Sequence, residues 1–460
     1  LAWDLTSLVA FRIVQAIPGG IIPVITLAMV YRIVPREKIG TAMGMYGLGI
    51  VFAPAVGPTL GGYLVEYVDW RLIFFINVPI GVLGAVAAVL ALPRFAPTPA
   101  GRFDTWGFLT VASGLFALLL ALSEGESWGW TSYWIVILLV YSVLSLALFV
   151  VIELGVDEPL LDVRIFRHWQ FTNSLVLISL MSVALFSGLF YVSLLLQQAQ
   201  GLGAFETGLV MLPQAFATAI MMPISGRLYD RLGPRLPAVV GLVLVAVGTW
   251  LMTEIRVDTP RDHIMWLLVI RGFGMGLAMM PIMTGGLAAV PPHLVSRAGA
   301  FNNVVQRTSA ALGIAVLTAL LTNTQAQTMA DRAALVPANA TPPVIGPAGT
   351  PPLLGLSAWY QQINVQVYVV ALDDIFLITT VISVLGVLGA LLLRSHVRTP
   401  LDQGGAPPAR ETAQESTQPP VEPVPPDLSI PAPRTAPEAD PLPVGHRAAV
   451  GADDRADPRS

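Results

Sequence analysis

Long apolar runs follow one another along most of this chain, and they constrain its fold more than any other feature of the sequence. A helix needs about 20 apolar residues to cross a bilayer core about 30 Å thick. About eleven runs meet that length, at 6–31, 41–66, 72–92, 106–123, 133–153, 173–197, 205–225, 236–254, 263–290, 298–322 and 372–394. Only 12% of the residues are charged, against about 25% in a soluble domain. The sequence therefore predicts an all-α membrane protein.

The basic residues between the spans predict which side of the membrane each loop faces. With the N-terminus outside, the cytoplasmic loops carry roughly thirteen arginines and lysines and the outer loops carry four. Cytoplasmic loops are enriched in both residues, so we expect this orientation in the plasma (inner) membrane. The segment 399–460 is rich in proline and too poor in apolar residues to form a core. We expect it to be a disordered cytoplasmic tail.

The composition argues against several classes of site. The chain has no cysteine, which excludes disulfides and Cys-ligated zinc. Its net charge of −4 gives no sign of a nucleic-acid partner. The five histidines are scattered over loops and the tail without a surrounding motif. We therefore expect neither an enzyme nor a metal site.

Two distant stretches share a pattern that predicts an internal repeat. "RIVQAIPGGIIP" (12–23) and "RGFGMGLAMMP" (271–281) each place an arginine early in a span and a proline about three turns later. Each span leads through "VP" into a short basic loop and a further span that begins with small residues. Repeated bundles are common in transporters, although chance similarity of Gly/Ala-rich spans would give the same pattern.

If the repeat is real, the chain divides into four parts. Residues 1–92 are the remainder of an N-terminal bundle with three spans, and 93–172 hold two inserted spans and a cytoplasmic linker. Residues 173–398 form a C-terminal bundle of six helices with an outer loop at 323–370, and the tail follows. The first bundle is then short by three helices, in keeping with a chain that begins "LAWDLTSLVAF" without a Met.

Arginines inside apolar spans are the first candidates for a functional site. An arginine at that depth costs at least about 2.5–3.5 kcal/mol, and ionisable residues within the membrane usually serve function. Arg12 and Gln15 lie one turn apart on one helix face. Arg271 has the matching position in the repeat, and Arg307 lies deeper in its own span. We expect these residues at a central cavity, with snorkelling to the membrane surface as the alternative.

The loop "GRLYDRLGPR" (226–235) predicts a charged contact that holds two helices together on the cytoplasmic side. Gly226 allows one helix to end close against its neighbour, and Gly233 permits a turn with positive φ. Asp230 can lie at the N-terminus of the following helix or pair with Arg231 or Arg235. Such a charge cluster can hold two helices in one conformation and release them in another. An ordinary basic loop is the alternative.

The stretch "GIVFAPAVGPTLGG" (49–62) concentrates poor helix formers in the second span. Small residues recur there every four positions, at Gly49, Ala53, Gly57 and Gly61. They predict a stripe through which another helix approaches closely. Pro54 and Pro58 each remove a backbone hydrogen bond, so we also expect a bend. A static helix crossing is the alternative.

Together these stretches resemble a known family. "LVAFRIVQAIPGG", "APAVGPTLGG", "DWRLIFFINVPIG" and "GRLYDRLGPR" look like the major facilitator superfamily, and within it the fourteen-helix drug:proton antiporter family typified by the EmrB and QacA exporters. The resemblance runs from about residue 5 to 398. It implies a major facilitator fold with about eleven of fourteen helices present and the first three lacking.

The resemblance also implies roles for individual residues. Proton-coupled exporters share an antiporter motif, matched here by Gly57, Pro58, Gly61 and Gly62, with Pro54 just before them. Arg12 and Gln15 match the arginine motif implicated in proton coupling, with Ala16 where glycine is usual. The family's cytoplasmic gating loop is matched by Gly226, Arg227, Asp230, Arg231, Gly233 and Arg235.

The implied function is proton-coupled efflux of lipophilic, often cationic compounds by alternating access, driven by the proton gradient without a cofactor. The expected partners are small-molecule substrates, protons and membrane lipid; the sequence leaves the oligomeric state open. The family's proton-carrying carboxylate lies on the helices that are lacking, which leaves Asp373 and Asp374 as candidates. The other acidic residues beside the spans are Glu66, Glu153 and Glu206. We expect most of them to be solvated. The alternatives are a non-transporting fragment or partner subunit, and an exporter of a dedicated metabolite.

Overall fold

A computed structural model of the chain describes residues 3–92, 104–156, 159–334 and 352–394. Eleven long helices account for most of these residues. They are α1 (Leu5–Ile33), α2 (Ile39–Tyr67), α3 (Leu72–Ala91), α4 (Thr105–Trp128), α5 (Tyr133–Gly155), α6 (Trp169–Leu194), α7 (Ala204–Leu232), α8 (Arg235–Leu251), α9 (Arg261–Ala288), α10 (Val295–Ala334) and α11 (Pro352–Leu391). Each of the eleven predicted spans overlaps one of these helices.

Ten of the described helices are long and apolar enough to cross a membrane. In α2 the stretch identified as apolar is limited to Ile39–Ile50, but the helix itself is unbroken for 29 residues. At 1.5 Å per residue, that length exceeds a bilayer core. The chain is therefore an all-α, multi-pass membrane protein, as predicted.

The best-packed helices lie in the C-terminal part of the chain. In the most apolar stretch of α9, 72% of the residues are buried, whereas no residue of the corresponding stretch of α3 is buried. Glycines let the central helices approach closely. A Cβ atom on Gly241 of α8 would lie 2.6 Å from the Ala278 nitrogen of α9, and one on Gly274 would lie 2.6 Å from the Gly241 oxygen. α9 is thus the centre of the C-terminal bundle.

The second helix makes the most extensive contact between the first three helices and the C-terminal part of the chain. α2 packs antiparallel along α7, and the contact extends from Gly40 beside Gly226 at one end to Gly62 beside Ala204 at the other. We call this contact the α2–α7 interface. The two helices predicted to be inserted, α4 and α5, pack on each other, and α4 also contacts α10.

The predicted repeat has a counterpart in local structure. α1 and α9 are the arginine-bearing helices, and each contains an internal proline of the predicted pattern, Pro23 and Pro281. Each is followed by a 3₁₀ turn, at Arg36–Lys38 and Pro292–Leu294, which leads into the next long helix.

The predicted outer loop at 323–370 is too long. α10 continues to Ala334, and α11 already begins at Pro352. The extension of α10 reads "NTQAQTMADRAA", which is rich in good helix formers and has no glycine or proline. A search for apolar residues misses such a polar extension. Residues 335–351 and the predicted tail at 399–460 lie outside the described residues.

Candidate functional site

The predicted cytoplasmic end of the α2–α7 interface is fastened by Asp230. Its Oδ1 accepts a hydrogen bond from the Gly40 amide at 2.8 Å, and its Oδ2 accepts from the Thr41 amide at 2.9 Å and the Thr41 hydroxyl at 2.6 Å. The N-cap residue of α2, Lys38, supplies no side-chain cap. The first amides of a helix lack partners within it, and a carboxylate also complements the positive end of the helix dipole. Asp230 therefore caps α2 from another helix.

This placement corrects the partners predicted for Asp230. The residue does not lie at the N-terminus of α8, and among the described residues no ion pair joins it to Arg231 or Arg235. The arginines of the predicted loop lie in the last turns of α7 and at the start of α8, and all three are exposed, namely Arg227, Arg231 and Arg235. The prediction considered only partners near in sequence, whereas α2 lies about 190 residues away.

The positive φ predicted for Gly233 and the close approach predicted at Gly226 are confirmed, but residues 226–232 are the last turns of α7 and not a loop. Gly233 has φ of 76° at the C-terminus of α7, where only glycine fits without strain. A Cβ atom on Gly226 would lie 2.3 Å from the Gly40 carbonyl oxygen, so the absence of a side chain lets α7 and α2 meet here.

The opposite end of the α2–α7 interface is fastened by a second carboxylate. α7 begins after Gly203, which has no side chain with which to cap the helix. Glu66, near the C-terminus of α2, accepts a hydrogen bond from the Phe205 amide at 3.1 Å. The Phe205 ring lies 5.7 Å from the rings of both Tyr63 and Tyr67. Glu66 was expected to be solvated; it is exposed, but it caps α7 as Asp230 caps α2.

The close contact between α2 and α7 does not use the predicted stripe. A Cβ atom on Gly57 or Gly61 would meet nothing within 4 Å, and the same holds for Gly49. A Cβ atom on Gly62 would lie 2.7 Å from the Ala204 carbonyl. Gly61 and Gly62 point about 100° apart on the helix, so the predicted stripe faces away from α7, and close packing of another helix against it stays a prediction.

Thr59 lies on the face that does make the contact. A Cβ atom on Gly208 of α7 would lie 2.4 Å from the Thr59 Cα, and the Thr59 hydroxyl donates to the Gly208 carbonyl at 2.7 Å. α2 remains one helix through Pro54 and Pro58. The bend at these prolines stays a prediction.

The structure brings Arg12 and Gln15 together, as predicted. The Arg12 guanidinium donates to Gln15 Oε1 at 3.4 Å and lies 4.8 Å from the centre of the Phe74 ring in α3. Both side chains are exposed in the described structure. They form a polar pair on the surface of α1 that faces α3.

Arg271, the counterpart of Arg12 in the repeat, has a different environment. It is fully buried and donates to the Ala184 carbonyl of α6. Its Nε and Nη1 atoms have no partner among the described residues. A Cβ atom on Gly188 would overlap its guanidinium, so this glycine makes the space that Arg271 occupies. Arg307 is exposed, and the four predicted cavity residues do not come together.

A cavity lies where α1 and α2 meet the C-terminal bundle. The described residues that line it are Leu27, Tyr46, Ile50, Ile178, Met181, Ser182, Leu185, Thr218, Met275, Met279, Met280, Ile282, Met283, Gly299, Asn302, Asn303 and Gln306. Five of them are methionines, and none carries a charge. We call this space the Met-lined cavity. Sequence reasoning did not place any residue in it, because no motif marks these positions.

Asp373 and Asp374 lie away from this cavity. Asp373 pairs with Arg256 at 3.4 Å, and Asp374 is exposed.

Glu153, which was expected to be solvated, is 1% exposed and accepts a hydrogen bond from the Leu161 amide at 3.0 Å. The linker after α5 folds back over this carboxylate, a contact that hydropathy cannot reveal. Among the described residues, no group of three or more acidic, histidine or cysteine side chains could hold a metal ion.

Comparisons with known proteins agree with this architecture. A family model described as "Major Facilitator Superfamily" matches residues 1–314. The chain is 36% identical over 323 residues to the "Uncharacterized MFS-type transporter YhcA" of Bacillus subtilis, an alignment that covers 70% of this chain and 61% of the relative. It is 32% identical over 305 residues to the "Lincomycin resistance protein LmrB" of Listeria monocytogenes, an alignment that covers 66% of this chain and 65% of the relative.

A third relative is named for export. The chain is 30% identical over 353 residues to the "Tetracenomycin C resistance and export protein" of Streptomyces glaucescens, covering 75% of this chain and 64% of the relative. The chain thus spans less than two thirds of the length of these three relatives.

Proposed function

The chain belongs to the Major Facilitator Superfamily, and we propose that it exports lipophilic small molecules across the plasma membrane in exchange for protons. The observation that carries this proposal is the Met-lined cavity. Helices of both predicted halves line it, as expected for a binding site between two bundles that rock against each other.

The chemistry of the cavity suits varied lipophilic compounds. Small-molecule sites are mostly apolar with a few placed polar groups. Methionine side chains are flexible and polarisable, so they adapt to ligands of different shape. The names of two relatives, which refer to resistance to lincomycin and to resistance and export of tetracenomycin C, support a drug or antibiotic as the substrate.

The α2–α7 interface supports alternating access. Carboxylate–amide hydrogen bonds link α2 and α7 at both ends in this structure, through Asp230 at one end and Glu66 at the other. In the proposed cycle the two ends open in turn. The end that opens breaks its carboxylate–amide hydrogen bonds, while the other end keeps α2 and α7 together.

Proton coupling and the fourteen-helix subfamily are proposed from the sequence motifs. The antiporter motif and the pair of Arg12 and Gln15 support both. The three further helices predicted for the N-terminal bundle stay a prediction, as does the cytoplasmic position of the C-terminus. No described carboxylate lines the Met-lined cavity, so we assign no proton carrier.

The decisive test is dye transport by energised membrane vesicles that contain the gene product. We expect a lipophilic dye to move in the export direction when a proton gradient is applied, and a protonophore to stop it. Transport that a protonophore leaves unchanged would overturn the antiport mechanism but keep export. If this chain of 460 residues moves no dye while a longer gene product does, the fragment alternative is correct for this chain.

A further inference from the structure

The Met-lined cavity has one polar wall. Asn302, Asn303 and Gln306 of α10 all line it. Because residues four apart lie on the same face of a helix, Asn302 and Gln306 follow one another along this wall. Apart from these amides, the hydrogen-bonding side chains among the described lining residues are Tyr46, Ser182 and Thr218.

The three hydroxyl groups are already engaged within the protein. Tyr46 donates to the Pro23 carbonyl at 3.1 Å, and Ser182 donates to the Ile178 carbonyl at 2.7 Å. Thr218 donates to the Gln214 carbonyl at 2.9 Å. A hydroxyl has one proton to donate. The donors that remain for a ligand are therefore the amides of α10.

Asn302 stands out among these amides because it is buried without partners. Its side chain belongs to a residue that is only 4% exposed, and neither its Oδ1 nor its Nδ2 has a hydrogen-bond partner among the described residues. A buried amide without partners costs free energy, and native proteins rarely leave one unexplained. A ligand with an acceptor next to a donor would satisfy both atoms at once.

The same wall offers no charge to a ligand. None of the described lining residues is charged, and Arg271 directs its guanidinium towards Ala184 of α6. A buried charge without a partner is strongly unfavourable. The described lining therefore favours uncharged ligands over the cations expected from the sequence.

We propose that Asn302 determines specificity in the Met-lined cavity by binding the polar edge of uncharged, lipophilic compounds that carry a carboxamide or a similar donor–acceptor pair. The inference rests on the proposed function, whose substrate class it names. Gln306 extends the polar wall by one turn, and the methionines contact the apolar body of the ligand.

The test measures binding to the purified protein in detergent, so that it does not depend on a proton gradient. The probes are the neutral 7-(diethylamino)coumarin-3-carboxamide and the permanent cation tetraphenylphosphonium. Asn302→Leu removes both hydrogen-bonding atoms, and Asn302→Asp keeps the shape but adds a negative charge. Asn323→Asp is the matched control, because Asn323 lies on the same helix and is exposed outside the cavity.

We expect the wild-type protein to bind the coumarin more tightly than the cation. Asn302→Leu should weaken coumarin binding about tenfold, which corresponds to about 1.4 kcal/mol. Asn302→Asp should weaken coumarin binding and strengthen binding of the cation, whereas Asn323→Asp should change neither. Thermal unfolding of each variant shows that it is folded.

Three results would overturn the inference. One is equal binding of both probes by the wild-type protein, another is unchanged coumarin binding in Asn302→Leu, and the third is the same gain of cation binding in Asn323→Asp. Failure of the exporter proposal has a different signature, in which the coumarin binds with the predicted dependence on Asn302 but is not transported by energised vesicles.

Discussion

Two neighbouring glycines of α2 give a sharp test of how this helix packs. A Cβ atom on Gly62 would lie 2.7 Å from the Ala204 carbonyl carbon and oxygen and 2.8 Å from the Phe205 amide nitrogen, about 0.7 Å closer than ordinary contact at 3.4 Å. These atoms are backbone, so no side-chain rotation relieves the overlap. A Cβ atom on Gly61 would meet nothing within 4 Å. We therefore expect Gly62→Ala to be less stable than Gly61→Ala.

The magnitude follows from two terms. Replacing glycine by alanine inside a helix contributes up to about 1 kcal/mol of stability, and this term is common to both variants. Forcing an extra methyl group into a packed contact typically costs about 1–3 kcal/mol, and this term applies to Gly62 only. Gly61→Ala should be as stable as the wild-type protein or more stable, and Gly62→Ala should be less stable than Gly61→Ala by about 1–3 kcal/mol.

The measurement is thermal unfolding of the purified variants in one detergent, followed by loss of helical circular dichroism. Gly208→Ala provides a second test from the α7 side, because its Cβ atom would lie 2.4 Å from the Thr59 Cα. It should also destabilise the protein. A larger loss in Gly61→Ala than in Gly62→Ala would show that α2 packs through the predicted stripe. Equal stability of Gly61→Ala and Gly62→Ala would refute the observed contact.

Four further predictions concern the remaining site residues. In a Ser182→Cys background, which provides one thiol in a chain without native cysteine, Asp230→Ala should speed labelling by an impermeant maleimide from the cytoplasmic side, because α2 loses three hydrogen bonds there. Glu66→Ala should speed labelling from the outer side. Gly188→Ala should lower thermal stability, because its methyl group forces the buried Arg271 guanidinium to shift from the space it occupies beside α6. Arg12→Ala should abolish proton-driven dye transport at unchanged expression.

Matched controls separate these effects from general damage. Glu206 is exposed beside the same end of α7 and pairs with Arg261 at 3.9 Å, so Glu206→Ala should leave outer labelling unchanged. Gly81 of α3 has open space around it, so Gly81→Ala should not destabilise the protein. If labelling from the outer side is equally fast in Glu206→Ala and Glu66→Ala, Glu66 does not hold this end as a cap of α7. Full proton-driven transport by Arg12→Ala would show that Arg12 takes no part in proton coupling.

Hydropathy was sufficient to predict the helices, because the length of an apolar span is set by the bilayer rather than by tertiary contacts. The loop glycines were predictable for a similar reason. Positive φ at Gly233 and the close approach at Gly226 are properties that few other residue types permit. The outer loop was predicted less well, since the polar extension of α10 depends on helix propensity and not on hydropathy.

The partners of the carboxylates could not be predicted, because they lie far away in the sequence. Asp230 meets Gly40 and Thr41, and Glu66 meets Phe205 across 139 residues. Nothing near either carboxylate identifies these amides. The only available signal was the absence of a capping side chain at the start of α2 and of α7, which leaves the first amides of each helix in need of an acceptor.

The face of α2 that makes contact was also undetermined by sequence. Gly49, Gly57 and Gly61 form one row of small residues, while Gly40 and Gly62 lie on another face. Either row would let a helix approach. Only the positions of glycines on the partner helix, such as Gly208, determine which row is used, and that pairing is a tertiary property.

The mutual capping of α2 and α7 has an energetic consequence for the proposed cycle. A hydrogen bond to a charged group contributes about 1.5–3 kcal/mol when well formed, and less where, as at both of these ends, the carboxylate is exposed. Asp230 makes three such bonds, whereas Glu66 makes one and is supported by ring contacts of about 0.5–1.5 kcal/mol each. The two ends therefore differ by a few kcal/mol at most. Reversing a two-state equilibrium from 1:99 to 99:1 requires about 5.5 kcal/mol of differential binding, so in the proposed cycle the substrate and the proton must together supply about that much to change which end opens.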